Sequence, residues 1–249
     1  MLWTPVQTGR FLDHAQRDRL YPLYHLIAHV GPRRGEACGL RWVDTHLDAG
    51  SIEVLNQIVQ YGWETAQAAP KTDASAATVA LDEETVWVLG EQRVAQATER
   101  AAAGDSWVES GLVFTELDGS ALHPAEVTER FHLLVEQAGL PPIRLHDLRH
   151  GAATLALAAG VEMKVVQAML RHASITTTSD LYTEVLPELS RDAARKVALI
   201  IPRVSSRRLG RVSGAQETIV DSGDDRVEIA KCEVNGDVDL ALEGAPPGT

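Results

Sequence analysis

One short run with a period of two interrupts a chain that otherwise reads as helix. In LDAGSIEVLNQIV, Gly50 punctuates the run, and Ile52, Val54, Asn56 and Ile58 alternate as in a half-buried strand. A second strand fits residues 76–81 (AATVAL), and LVFTELDGSAL reads as a short hairpin around Asp118-Gly119. The remaining apolar stretches carry helical signals. Thr4-Pro5 opens a helix reaching about Gln16, with proline at the first helical position. Helices are expected over residues 20–30, with Pro22 in the first turn where its missing N–H matters little, and over 34–42. Another covers residues 82–103, with acids in its first turn as the helix dipole prefers. Further helices fit residues 124–138, 144–159 (ended by Gly160), 162–170, 175–182 and 187–200. No repeat of 20–50 residues is visible. The expected fold class is mainly α with a small antiparallel β-sheet.

The chain has 249 residues, 45% of them hydrophobic, enough for a real core and one or two domains. Its formal charge of −12 argues against a histone-like coat of positive charge. It leaves nucleic acid open, because a groove needs only a local basic lining. Aromatic residues make up 5%, too few for stacking platforms on single strands to be a theme. Cys38 and Cys232 form no CxxC pair, so neither a zinc knuckle nor a disulfide framework is indicated. MLWTPVQTGR lacks a basic region followed by an apolar one, and no apolar stretch approaches the roughly 20 residues that span a bilayer. These features predict a soluble, cytoplasmic protein with no membrane contact. Composition changes after Pro202: RVSSRRLGR holds four arginines, and residues 212–249 are strongly acidic. The expected organisation is a folded unit over residues 1–201 and a disordered, basic-then-acidic tail over 202–249.

Four segments carry residue types suited to phosphate chemistry. In RLHDLRHGAAT, His146 and Arg149 are three apart, so a helix puts both on one face. A guanidinium clamps two non-bridging oxygens, and an imidazole beside it adds a donor or moves a proton. In LRHASITTTSDLYTEV, His172 precedes Tyr182 by ten residues. A tyrosine hydroxyl, with a free pKa of about 10, needs help as a nucleophile, and cations around its target supply it by stabilising developing negative charge. In HVGPRRGEACGLRW, Arg33, Arg34 and Arg41 sit near Gly31 and Gly35, and Glu36 is close enough to orient one guanidinium. In AAPKTDASAATVAL, Lys71 is the only lysine before residue 164 and lies between expected strands, where a flexible ammonium reaches into a cleft. Alone, each segment also reads as ordinary structure: a capped helix start, a buried tyrosine, solvent-facing arginines, a loop lysine.

Taken together and in order, Arg33, Lys71, His146, Arg149, His172 and Tyr182 resemble the catalytic set of the tyrosine recombinases, the phage-integrase family. GPRRGEACGLRW is similar to the family's first arginine box, PKT to its β-hairpin lysine box, HDLRHGAATLALAAGV to its H-x-x-R helix, and LRHASITTTSDLYTEV to its second-histidine and nucleophile box. The resemblance covers about residues 4–200 and implies a tyrosine recombinase-like catalytic domain. It implies site-specific cutting and rejoining of double-stranded DNA without metal, ATP or other cofactor. Tyr182 would attack a phosphodiester to give a 3′-phosphotyrosine and a free 5′-hydroxyl. Arg33 and Arg149 would neutralise the non-bridging oxygens, His172 would add a hydrogen bond, and Lys71 would protonate the leaving oxygen. His146 would support the phosphate and handle the tyrosine proton, with Glu36 behind Arg33. Losing one such preorganised charge costs on the order of 3–4 kcal/mol, about 10²–10³ in rate. The resemblance also implies a homo-oligomer, a tetramer on DNA, with the segment after Tyr182 docking on a neighbouring subunit.

Several positions depart from the family pattern. Pro32 stands where an apolar residue usually precedes the first arginine, and Arg171 replaces the glycine usually found before the second histidine. Added charge at Arg171 would help phosphate binding, or its side chain would crowd the turn. TDASAATVA after Lys71 is less basic than in relatives, which weakens the salt-dependent part of DNA affinity. Only 32 residues precede Arg33, too few for the family's N-terminal core-binding module, which is therefore expected to be absent from this sequence. Two other outcomes stay open: a truncated, catalytically impaired DNA-binding remnant, and nicking and rejoining like a type IB topoisomerase. Zinc-like spacing in His25-x-x-x-His29 and His146-x-x-x-His150 lacks both the HExxH glutamate and further ligands. No G-x-S-x-G or Walker-type loop supports a serine hydrolase or nucleotide binding.

Overall fold

The helix between Tyr21 and Val30 organises the fold, because most of its side chains are buried. Its Leu23, Tyr24, His25, Leu26, Ile27, Ala28 and Val30 all lie in the interior. The computed structural model describes residues 2–69 and 78–171, all within the first of the chain's two units, Met1–Pro202. In chain order the helices are α1 (Pro5–Ala15), α2 (Tyr21–Val30), α3 (Arg34–Cys38), α4 (Glu83–Ala103), α5 (Pro124–Gln137), α6 (Leu145–Ala158) and α7 (Met163–Leu170). The strands are β1 (Thr45–His46), β2 (Ser51–Glu53), β3 (Gln57–Tyr61), β4 (Glu64–Ala68) and β5 (Thr78–Ala80). The fold is mainly α with small antiparallel sheets, in which β1, β2 and β5 form one sheet in the order β1-β2-β5 and β3 and β4 a separate ribbon.

Local chemistry explains where the helices begin. Thr4 and Gln7 form a reciprocal capping box at the start of α1: the Gln7 N–H donates to Thr4 Oγ1 at 3.3 Å and the Thr4 N–H to Gln7 Oε1 at 2.9 Å. Asp82 caps α4 by accepting the Thr85 N–H at 3.0 Å. Helices α1, α2 and α5 meet through aromatic side chains. Phe11 lies 5.1 Å from Phe131, 5.2 Å from Trp3 and 5.9 Å from Tyr24, between ring centroids. The polar ends are satisfied, with Tyr24 Oη donating to the Val127 carbonyl at 2.9 Å and Trp3 Nε1 to the Pro141 carbonyl at 2.8 Å. His25, buried in the middle of α2, bonds Thr85 Oγ1 through Nε2 at 3.0 Å and the Tyr21 hydroxyl through Nδ1 at 3.3 Å. Both ring nitrogens of this histidine are thus occupied within the core.

The sheet region differs from expectation in three ways. The single strand expected around residues 52–58 is two strands. β2 stops pairing at Glu53, and the chain pairs again only from Gln57, now with β4. Between them Asn56 turns its side-chain amide to the Gly39 carbonyl at 3.2 Å. β4 has no counterpart among the expected strands, since four of its five residues are exposed and no apolar alternation marks it. The hairpin expected around Asp118-Gly119 is a turn closed by one isolated bridge, Thr115 to Ala121, with Gly119 at φ 86°.

Helix α3 is shorter than the expected 34–42, because the chain must pass close to β3. A Cβ on Gly35 would lie 2.6 Å from the Ile58 carbonyl oxygen, and one on Gly39 would lie 2.5 Å from the Gln57 Cα. Both obstacles are backbone, which cannot move aside as a side chain can. Gly39→Ala should therefore destabilise the protein by about 1–3 kcal/mol. Gly90→Ala, on α4 with open space around its Cα, should stabilise it by roughly 0.5–1 kcal/mol. Thermal melts of the two variants should move in opposite directions.

Candidate active site

Arg33 stands at the corner between α2 and α3. α2 ends at Gly31, whose φ of 71° is left-handed, and a Cβ there would meet Leu170 Cδ2 at 2.6 Å. The end of α2 therefore lies against the end of α7. Pro32 occupies the non-helical link, and Arg33 follows in extended conformation as the N-cap of α3. Three residues on, Glu36 reaches back. Its Oε2 accepts the Arg33 backbone N–H at 2.7 Å, and its Oε1 accepts the Arg33 guanidinium at 2.7 Å. The Arg33 side chain keeps 41% of its surface exposed, so the guanidinium is anchored at one edge and open to a ligand at another.

Glu36 itself is buried, and a second cation meets it there. Arg171, at the C-terminal cap of α7, ion-pairs with Glu36 Oε2. Burial pushes the Glu36 carboxyl up, but the Arg171 charge and the hydrogen bonds and charge of Arg33 outweigh it and hold the group below its ordinary value. The site thus keeps a carboxylate at neutral pH between two guanidiniums.

Arg149 projects from α6 into the same region. Only 1% of it is exposed, and its guanidinium donates to the Gly31 and Leu170 carbonyls, bridging the ends of α2 and α7. Burial, then the charges of Arg33 and Arg171, lower its pKa to about 9, with Glu36 acting in the opposite sense. It stays protonated at neutral pH. One turn earlier on α6, His146 sits with its ring 4.5 Å from that of His150 at an interplanar angle of 88°. Partial burial, then the neighbouring His150 and Arg149 charges, hold the His146 pKa below the ordinary histidine value. Much of this residue remains exposed, so solvent screens those charges. The result is a neutral imidazole, able to accept a proton at neutral pH. The start of α6 repeats the device seen at α3. Asp147 Oδ2 accepts the Arg144 N–H at 2.9 Å, and Oδ1 the Arg144 guanidinium at 2.7 Å.

Of the residues singled out in sequence, the structure thus gathers Arg33, Glu36, Arg149 and His146. Lys71, His172 and Tyr182 lie outside the described residues. Arg34 is turned away, its guanidinium donating to Thr128 Oγ1 on α5 at 2.7 Å, and Arg41 pairs with Asp44 at 2.5 Å. Arg171, noted in sequence as a charge that would help phosphate binding or crowd the turn, instead turns inward onto Glu36 from a left-handed cap. Its sequence signal was an arginine directly before His172, with no indication that the side chain turns inward to Glu36.

Residues 4–188 match the phage integrase family. The chain belongs to that family. Among its relatives, a tyrosine recombinase XerC-like protein of Caldanaerobacter subterraneus subsp. tengcongensis is 30% identical over 187 residues, 70% of this chain and 48% of the relative. An integrase of Streptomyces ambofaciens is 31% identical over 191 residues, 72% of this chain and 48% of the relative. The chain spans about half the length of these relatives. In fold it is similar to the Tn1549 transposon integrase in complex with transposon right end DNA, with a TM-score of 0.67 and 22% identity over 80% of this chain and 66% of that one. The XerA recombinase gives a TM-score of 0.63 and 23% identity over 78% and 63% of the two chains.

Replacing the buried carboxylate tests this arrangement. Glu36→Gln leaves the Arg171 guanidinium buried without a countercharge and should cost about 3–5 kcal/mol at pH 7. The folded-state carboxyl lies below the ordinary 4.5, so its stabilisation is complete above that pH and fades as pH falls through the folded value. Denaturant unfolding across pH should show the gap between wild type and Glu36→Gln narrowing only below about pH 4.5.

Proposed function

We propose that this chain is the DNA-cleaving unit of a site-specific recombinase, cutting and rejoining double-stranded DNA through a 3′-phosphotyrosine. Family membership supports the reaction class. The observation that carries the reading is that Arg33 and Arg149, far apart in sequence, meet at one corner of the fold, with the neutral ring of His146 one turn before Arg149 on α6. The Arg33 guanidinium is exposed enough to meet one non-bridging oxygen of a phosphodiester directly, and Arg149, buried with Nη1 and Nη2 on the Gly31 and Leu170 carbonyls, meets the other once DNA binding uncovers its remaining N–H donors.

In the proposed reaction the Tyr182 hydroxyl oxygen attacks phosphorus as the bond to the 5′-oxygen breaks. Arg33 and Arg149 take up the charge that develops on the non-bridging oxygens, and His172 donates a further hydrogen bond. His146, neutral at pH 7, accepts the phenolic proton, and phosphate charge arriving beside it raises its basicity for that step. Lys71 gives a proton to the departing 5′-oxygen. The phosphotyrosine keeps the energy of the broken ester, so the reverse attack by a 5′-hydroxyl rejoins the strand without ATP. Fixed cations do the work that metal ions do in other phosphoryl-transfer enzymes. We assign this unit to residues 1–201, infer a tetramer of this chain on DNA, and place its action in the cytoplasm. Among the described residues, no helix is long and apolar enough to cross a membrane.

A pool of nicked duplexes, randomised around the nick, tests the reading. A nick beside the cleavage point lets the short 5′-hydroxyl fragment diffuse away and traps the covalent adduct. Wild type should yield an SDS-resistant protein–DNA adduct in the presence of EDTA, Tyr182→Phe none, and Arg149→Ala at least tenfold less with its thermal melt still cooperative. An adduct unaffected by Tyr182→Phe, or one that needs a divalent metal, would contradict the mechanism. No adduct from wild type would favour a non-catalytic DNA-binding role.

A further inference from the structure

We propose that Arg171 is a positioning residue for strand cleavage: its buried guanidinium holds the Glu36 carboxylate, and through it Arg33, in the geometry that a phosphate requires. The inference rests on the recombinase reading above, and it concerns a residue that does not itself touch DNA. The Arg171 side chain is fully buried with Nη2 on Glu36, so it acts through that carboxylate and Arg33.

Three observations point this way. First, Glu36 divides its two oxygens. Oε1 holds the Arg33 guanidinium, while Oε2 holds Arg171 and the Arg33 backbone N–H. With Arg171 removed, Oε2 becomes available to the Arg33 guanidinium, and a bidentate grip of carboxylate on arginine is the stronger geometry. Arg33 would then be drawn onto Glu36 and away from a ligand. Arg171 therefore competes for the carboxylate and leaves Arg33 donors free.

Second, the arrangement does not look optimised for stability. Arg171 is the one described non-glycine residue with a positive φ, at 54°, a left-handed conformation that a β-carbon disfavours. Its Nε, though buried, has no hydrogen-bond partner among the described residues. A glycine in this cap would remove the strain, and an apolar side chain would remove the unsatisfied donor. What arginine supplies here, and a glycine or apolar residue would not, is a charge delivered to Glu36.

Third, the same turn is held from the other side. Arg149 donates to the carbonyl of Leu170, the neighbour of Arg171. Residues 170 and 171 are thus tied to both candidate phosphate-binding arginines, and the next residue in sequence is His172. The charged groups facing the Glu36 carboxylate are Arg171 from the end of α7, Arg33 from the start of α3 and, further off, Arg149 from α6.

The test uses the full chain, with single-turnover cleavage of nicked duplexes recovered from the randomised pool. Arg171→Met should slow adduct formation at saturating DNA by tenfold or more, with duplex affinity within threefold of wild type. Arg171→Lys, which keeps the charge but not the fork of donors, should fall two- to fivefold below wild type. If the Met variant does not melt cooperatively, Arg171→Gln, which removes the charge but keeps a polar side chain, decides instead, and a wild-type rate for it overturns the proposal. An unchanged rate in a folded Arg171→Met overturns it while leaving the recombinase reading intact. Should wild type form no adduct, the recombinase reading fails and the positioning role falls with it; in an active enzyme, 13C NMR titration of the Glu36 carboxyl reads the contact directly. There Arg171→Met should move the titration upward, and an unmoved titration overturns the proposal.

Discussion

The Glu36 carboxylate is buried between two guanidiniums, and the geometry around it follows from that single charge. An isolated carboxylate would not stay ionised in such a place, because leaving water costs several kcal/mol that one contact rarely returns. Here the cost is met by Arg33, Arg171 and a backbone N–H together. The same carboxylate starts α3 and receives the side chain that caps α7. One acid therefore fixes the position of an arginine at the surface, an arginine in the interior, and the ends of two helices.

Helix α2 makes that convergence possible. With seven of its ten residues buried, it has little freedom to shift, and its last turn delivers Gly31 against Leu170 and Arg149. Gly35 and Gly39 then let the chain run along β3 at a distance no side chain would allow. The chain as a whole is acidic, with a formal charge of −12, yet this corner sets three arginines against one glutamate. Net charge says little about a local field, and a concentration of cations at one junction is what an anionic backbone would meet there.

Much of the helical framework was legible because its signals are local. Thr4-Pro5, Asp82, Pro124 and Gly160 mark helix boundaries through capping and backbone conformation, and the helices begin or end within a residue or two of them. His146 and Arg149 were readable as a pair because helical spacing alone puts them on one face. β4 was not readable: its residues face solvent on both sides, so burial imposed no alternation, and only Gly62 at φ 64° marks the turn before it. The early end of α3 was hidden for a different reason. It depends on the backbone of Gln57, distant in sequence, passing beside Gly39. The inward turn of Arg171 was equally invisible, since its partner Glu36 lies on another helix and only the fold brings them together.

The central claim is that Arg33 and Arg149 converge on one phosphorus approached by the hydroxyl of Tyr182. The most direct measurement is a crystal structure of the full chain on nicked duplex with orthovanadate, which stands in for the five-coordinate phosphorus. The account predicts vanadium with Tyr182 Oη as an apical ligand and equatorial oxygens within hydrogen-bond distance of both guanidiniums. Vanadate bound elsewhere would contradict it, as would a Tyr182 hydroxyl lying apart from the two arginines of its own and every neighbouring copy.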